Sequence, residues 1–177
     1  MDIQRDLKFK SIEKAYNDRF LQLVKSGKYP WKSTEKGFWG CSILAEVYEL
    51  FEKIGLDSYA SFVDLGSGDG RVVLVASLFT KAWGIEIDDE LIEVSNALKE
   101  KVRCPNAEFK KTDFFDVDLS AYAVLFLFPD KPLAALEDKI RGAKNKLILY
   151  GPHFHPLKMR LKRLVYLDTN NASVYEA

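Results

Sequence analysis

From residue 61 onward, short and almost continuously apolar runs alternate with stretches of helical length. Runs at 61–65, 82–87, 107–110, 122–128 and 146–150 read as strands, and 69–79, 89–101 and 131–141 read as helices. Strands with no polar side need cover on both faces, which is the condition of a parallel sheet wrapped by helices. The end of the chain departs from this rhythm. Runs at 162–167 and 172–176 flank an Asp-Thr-Asn-Asn turn, a hairpin signal that adds antiparallel strands to the sheet. The pattern predicts an α/β fold: a doubly wound, mostly parallel seven-strand sheet with an antiparallel C-terminal hairpin.

The region before residue 61 is different. Ile3, Leu7, Ile12, Tyr16, Phe20, Leu23 and Val24 recur at near-helical spacing, giving one or two amphipathic helices. Gly27 and Pro30 break them. An aromatic loop, YPWKSTEKGFWG, follows. Ser42 then reads as a helix N-cap, with Ile43, Val47, Leu50, Phe51 and Ile54 as the buried stripe and Gly55 as the stop. The expected division is an N-terminal helical extension over 1–35 and a main domain over 36–177.

With 26 basic and 26 acidic residues, no overall field draws the chain to nucleic acid or to a membrane. The start MDIQRDLKFK carries no apolar core of a signal peptide, and no run reaches the roughly 18 apolar residues of a membrane span. A soluble, cytoplasmic protein is expected. Two cysteines, Cys41 and Cys104, build neither a disulfide framework nor a zinc site, and His153 and His155 lack further ligands nearby. No metal is expected.

The chemistry gathers at FVDLGSGDGR, residues 62–71, between the first strand and its helix. Bare backbone there allows positive φ and close approach of a ligand at the carboxyl ends of the strands. The spacing of Gly66, Gly68 and Gly70 departs from the G-x-G-x-x-G of dinucleotide folds, and no Gly-Lys-Ser/Thr follows for a phosphate loop. Asp64 and Asp69 bracket the turn and would repel a pyrophosphate. Such a loop suits a cationic ligand. Glu86 ends the next strand 22 residues after Asp64, the place of a ribose-hydroxyl acceptor. Asp113 follows the third strand and can accept from an exocyclic amine, with Phe114 against a base. A nucleoside joined to a cation describes S-adenosylmethionine (SAM).

VDLGSGDGR, the Glu86 strand end and TDFFD resemble the first three motifs of class I, seven-strand SAM-dependent methyltransferases, over about residues 40–177. That resemblance implies that Asp64 meets the methionine amino group and that Gly66, Ser67 and Gly68 pass beneath the methionine moiety. It further implies that Glu86 holds the ribose, Ile87 covers the adenine, and Asp113 and Phe114 meet the adenine edge. Trp39-Gly40-Cys41-Ser42, ending 22 residues before Asp64, is similar to the Tyr-Gly-Glu-Thr motif of the non-SET, Dot-type lysine methyltransferases and their smaller archaeal and mitochondrial relatives. Gly40 matches, Trp39 is aromatic for aromatic, Ser42 keeps the hydroxyl, and Cys41 loses the carboxylate.

After the fourth strand stands Leu127-Phe128-Pro129-Asp130, in place of the Asn/Asp-Pro-Pro-Tyr/Phe of amino-methylating DNA and glutamine enzymes or the Asn-Asn-Phe of the Dot type. No catalytic base is assigned, and Trp39, Phe128 and Pro129 are the candidates for the acceptor pocket. The resemblance implies methylation of a protein lysine. A small-molecule or RNA methyltransferase and a non-catalytic SAM-binding module are the competing readings.

Overall fold

A computed structural model of the chain describes residues 2–29, 31–34, 37–151 and 153–176. It opens with α1 (Ile3–Lys25), capped by the Asp2 carboxylate, which accepts from the amides of Gln4 and Arg5. Then come β1 (Trp31–Thr34), β2 (Gly37–Gly40), α2 (Leu44–Ile54), β3 (Ser61–Leu65) and α3 (Arg71–Ala76). The alternation continues through β4 (Lys81–Glu86), α4 (Asp89–Val102), β5 (Ala107–Lys111), β6 (Val124–Leu127), α5 (Ala134–Ile140) and β7 (Lys146–Tyr150). A final hairpin, β8 (Arg160–Tyr166) and β9 (Asn171–Glu176), closes the chain.

Seven strands form one sheet in the order β5-β4-β3-β6-β7-β9-β8. The first five are parallel, and β9 runs antiparallel to both β7 and β8. The predicted doubly wound sheet with its antiparallel end is therefore present. The chain builds outward from β3 to β5, then crosses back to β6. The carboxyl ends of β3 and β6 thus flank the point where the winding reverses, and a crevice opens there.

Alternate residues of each strand serve opposite faces. Phe62, Phe126 and Ile148 point into a core with Ile12, Tyr16, Val47, Phe51, Val73 and Leu98 from four helices. Their neighbours Val63, Leu125 and Leu147 point the other way, into a smaller core closed by Leu133, Leu136 and Ile140 around α5. No helix among the described residues is long and apolar enough to cross a membrane.

Four expectations need correction. The aromatic loop is partly a two-strand ladder, β1 against β2, with Trp31 opposite Gly40 and Thr34 opposite Gly37. Ser42 is not the N-cap of α2: Arg71 Nη1 takes the Ser42 carbonyl (3.2 Å), and the helical ladder starts one residue later, with Val47 N–H on the Ile43 carbonyl (3.0 Å). Ile43 accordingly lies outside the buried stripe. In α1, nine residues separate Ile3 from Ile12, two and a half turns, so the two side chains fall on opposite sides. Ile12 and Tyr16 are buried, whereas Ile3 is 71% exposed. Finally, α3 is only six residues long, because Gly68 and Gly70 hold positive φ of 55° and 79° and delay the helix until Arg71.

Gly84 marks the tightest approach in the sheet. It pairs with Asp64 on one side and Phe109 on the other. A Cβ on Gly84 would sit 2.6 Å from Ser67 Oγ and 2.7 Å from Phe109 Cδ1. Gly84→Ala is expected to destabilise the fold by about 1–3 kcal/mol through overpacking. Urea unfolding of the variant checks this, and an unchanged midpoint would show that Phe109 yields freely.

Candidate functional site

The site begins with the turn after β3. Gly66 takes φ 79°, and the amides of Gly66 and Ser67 both donate to the Ile85 carbonyl, at 2.8 and 3.0 Å. These bonds fold the glycine loop over the end of β4. There Glu86 is buried, and three backbone amides converge on it. Its Oε2 accepts from Gly68 N–H (2.9 Å), and its Oε1 accepts from Ile87 N–H (2.8 Å) and Asp88 N–H (2.9 Å). A carboxylate has about four lone-pair sites, so a further donor can still be taken up.

Asp64 has the opposite environment. It is 4% exposed and accepts no hydrogen bond among the described residues. Burial, then the charges of Glu86 and Asp69, push its pKa well above the usual carboxylate range. Asp69, by contrast, meets Arg71, whose Nε and Nη2 donate to its two oxygens at 2.9 and 2.7 Å, a bidentate pair. The loop therefore holds one compensated acid and one that lacks a donor.

In front of the loop lies a cavity of about 730 Å³. One end is walled by Gly66, Glu86, Ile87, Asp113 and Phe114, and the other by Phe128, Pro129, Leu136, His153 and Phe154. Asp113 caps the turn at 114–116 by accepting from Phe115 N–H (2.9 Å), and the rings of Phe114 and Phe115 lie 4.6 Å apart, tilted by 38°. Phe128, 39% exposed, sits edge-on to Tyr150 with centroids 5.2 Å apart. Its other flank rests on Gly151 (φ 92°), where a Cβ would come within 3.0 Å of the ring. The size is that of a nucleoside-bearing small molecule, and the wall is mostly apolar with a few polar points.

Of the residues singled out in the sequence, the cavity brings together Gly66, Glu86, Ile87, Asp113, Phe114, Phe128 and Pro129. Asp64, Ser67 and Gly68 stand behind that wall, and Ser42 is buried beside Arg71. Ser67 Oγ is buried with no partner among the described residues. Gly40 lines the cavity, and Trp39 is its neighbour on β2, with a side chain outside the described residues. His153 lies on the wall, while His155 Nδ1 pairs with the Tyr175 hydroxyl at 2.8 Å. Among the described residues no three metal-binding side chains cluster, and neither Cys41 nor Cys104 is in a disulfide.

Two groups escaped the sequence reading. Arg71 is one, although its place two residues after Asp69 was visible. Glu46 is the other. Only 2% exposed, it accepts from the Tyr150 hydroxyl, from Thr169 N–H (2.6 Å) and Oγ1 (2.7 Å), and from Asn170 Nδ2 (2.9 Å). Burial alone would raise its pKa, but these donors, Tyr150 first, hold it down to about 2. Its contribution to stability is complete above the ordinary glutamate range and is lost as pH falls toward 2.

Asp64 has the reverse sign. A carboxyl whose folded pKa is raised contributes stability below its unfolded pKa, about 3.9, and that contribution is lost as pH rises. Asp64→Asn is therefore expected to raise the melting temperature of the ligand-free protein at pH 7–8, with the gain vanishing below about pH 4. Melting curves across that range test it, and an Asn variant no more stable at pH 7 contradicts it.

The family model described as "Histone methylation protein DOT1" matches residues 28–120, more than half of the chain. A protein-lysine N-methyltransferase of Saccharolobus islandicus (strain REY15A) is 41% identical over 69 residues, 37% of this chain and 43% of that relative. The match thus spans less than half of the relative's length. Among solved structures, an RNA methyltransferase from Salinibacter ruber in complex with S-adenosyl-L-homocysteine is similar with TM-score 0.63 and 24% identity, covering 77% of this chain and 93% of that one. A mutant of MtNAS in complex with S-adenosylmethionine superposes with TM-score 0.61 and 14% identity, covering 75% and 62%. At these identities the solved structures speak for the fold alone. The chain belongs to the DOT1 family of histone methylation proteins, and its fold is that of the class I, SAM-dependent methyltransferases.

Proposed function

We propose that this chain is a SAM-dependent methyltransferase whose acceptor is a protein lysine. The observation that carries the cofactor half is Asp64. A buried carboxylate with no donor among the described residues, beside a bare glycine turn, calls for a cation. The amino group of SAM's methionine moiety is such a donor. In this reading Gly66, Ser67 and Gly68 run beneath the methionine moiety, with Ser42 behind them. Glu86, already squared by three amides, accepts from the ribose hydroxyls. Ile87 covers the adenine, and Asp113 and Phe114 meet its edge.

SAM supplies an electrophilic methyl group on a sulfonium. The protein's part is to align an amine nitrogen with that methyl, about 3 Å away, and to keep water out. When bound, SAM would supply that methyl group and its sulfur would keep the electron pair of the carbon–sulfur bond. The nitrogen must first lose a proton. The apolar wall around Phe128, Pro129, Leu136 and Phe154 favours neutral amine over ammonium. Phe128, held by Tyr150 and Gly151, offers its face to the ammonium before that loss. Trp39 and Phe128 would flank the lysine channel, and the helical extension over residues 1–35 would act with the main domain. Lysine as acceptor is supported by the Saccharolobus relative's activity and by the Trp-Gly-Cys-Ser segment.

Calorimetric titration with SAM, S-adenosylhomocysteine and NAD tests the cofactor; micromolar binding of the first two and none of NAD is expected. Asp64→Ala and Glu86→Ala should each weaken SAM binding at least tenfold, about 1.4 kcal/mol. Unchanged affinity in folded variants sinks the assignment. Tritiated SAM added to lysate should then label protein, with the label recovered as methyllysine after hydrolysis. Label confined to RNA or small molecules overturns the lysine acceptor, and none at all leaves a binding module.

A further inference from the structure

The glycine loop is held peptide by peptide from outside. Gly68 N–H goes to Glu86, and the Gly68 carbonyl lies 3.1 Å from Ser95 Oγ on α4. The carbonyl of Asp69 receives the hydroxyl of Tyr16, on α1, at 2.8 Å. Tyr16 is buried, and its ring also lies under the Arg71 guanidinium, 4.9 Å from ring centroid to Cζ. Arg71 in turn grips the Asp69 carboxylate with two nitrogens and the Ser42 carbonyl with a third. One tyrosine of the N-terminal helix thus fixes both the backbone of the loop residue and the cation that fixes its side chain.

These contacts single out Asp69 for a reason. It stands between two residues at positive φ, Gly68 and Gly70, where the backbone has the most freedom to rotate. The Asp69 carbonyl shares a peptide plane with Gly70 N–H, which donates to the Ser67 carbonyl (2.9 Å), so rotating that plane would break the bond that closes the turn around Gly68. A hydrogen bond to the Asp69 carbonyl is therefore a lock on the whole turn. A Cβ at Gly70 would strike Ser95 and Phe109, so the turn has no room to relax toward α4. The α1 side is the side from which it can be loosened.

We infer that Tyr16 is a positioning residue for the cofactor loop, so that α1 sets SAM affinity without touching the ligand. This rests on the reading of residues 66–70 as the SAM loop. Tyr16→Phe keeps the ring on Arg71 and removes only the hydroxyl. It is expected to weaken SAM binding about three- to tenfold and to speed amide hydrogen exchange at Gly68 and Gly70 in the ligand-free protein. Ile12→Val, one turn away on the same buried face of α1, serves as control. It should lower the melting temperature while leaving both readouts as in the wild type at 20 °C below its midpoint. Wild-type affinity in Tyr16→Phe overturns the inference, as does an equal loss of affinity in Ile12→Val. Should the wild type itself fail to bind SAM, the cofactor reading falls, and the exchange rates alone decide whether Tyr16 locks the loop.

Discussion

Glu86 is the group on which the ligand side of this fold depends. Three backbone amides, from the glycine loop and from the turn into α4, converge on one buried carboxylate. A loop of glycines has no side chains with which to hold itself, and it loses more conformational freedom on folding than any other sequence would. The carboxylate removes that freedom at its centre. It does so from the end of β4, a strand paired on both sides, so its own position is set by the sheet. The floor of the cavity inherits its rigidity from there.

The acceptor side has a second anchor with the same logic. Glu46 on α2 gathers donors from β7 and from the turn of the final hairpin, and among them Tyr150 carries Phe128 on its edge. Both anchors are buried acids satisfied by convergent donors. Asp64 lies between the two and has no such company. The contrast separates acids that build the site from the acid that is left to meet something else.

The sheet and its loop were legible because their signals are local. Apolar runs, an Asp-Thr-Asn-Asn turn and glycines between acids each occupy a few consecutive residues, and β3, β7 and the hairpin fall where those runs place them. Seven of the singled-out residues meet on one cavity because strand ends at a winding reversal are brought together by topology. The loop contact of Tyr16 and the role of Glu46 stayed hidden for the converse reason. Tyr16 meets its partner across 53 residues, and Glu46 meets its partners across 104 and 123. No spacing rule links such positions. Ser42 misled because a serine before an apolar helix reads as a cap, whereas here Arg71 holds its carbonyl and the helical ladder starts at Ile43. The α1 stripe misled because near-helical spacing over 23 residues drifts around the cylinder, so that Ile12 and Tyr16 are buried while Ile3, Leu7, Phe20 and Val24 are exposed.

The order of the last strands carries a consequence of its own. In space β9 lies between β7 and β8, although β8 precedes it in the chain. The edge strand therefore has no ladder on the sheet until β9 has docked, and β8 and β9 join or leave as one cooperative unit. The turn of that unit, at Thr169 and Asn170, is what holds Glu46, and through it Tyr150. A transient lifting of the hairpin would release the Tyr150 hydroxyl and, with it, the ring against which Phe128 leans. A breathing motion at the edge of the sheet thus has a mechanical line to the mouth of the cavity at its centre.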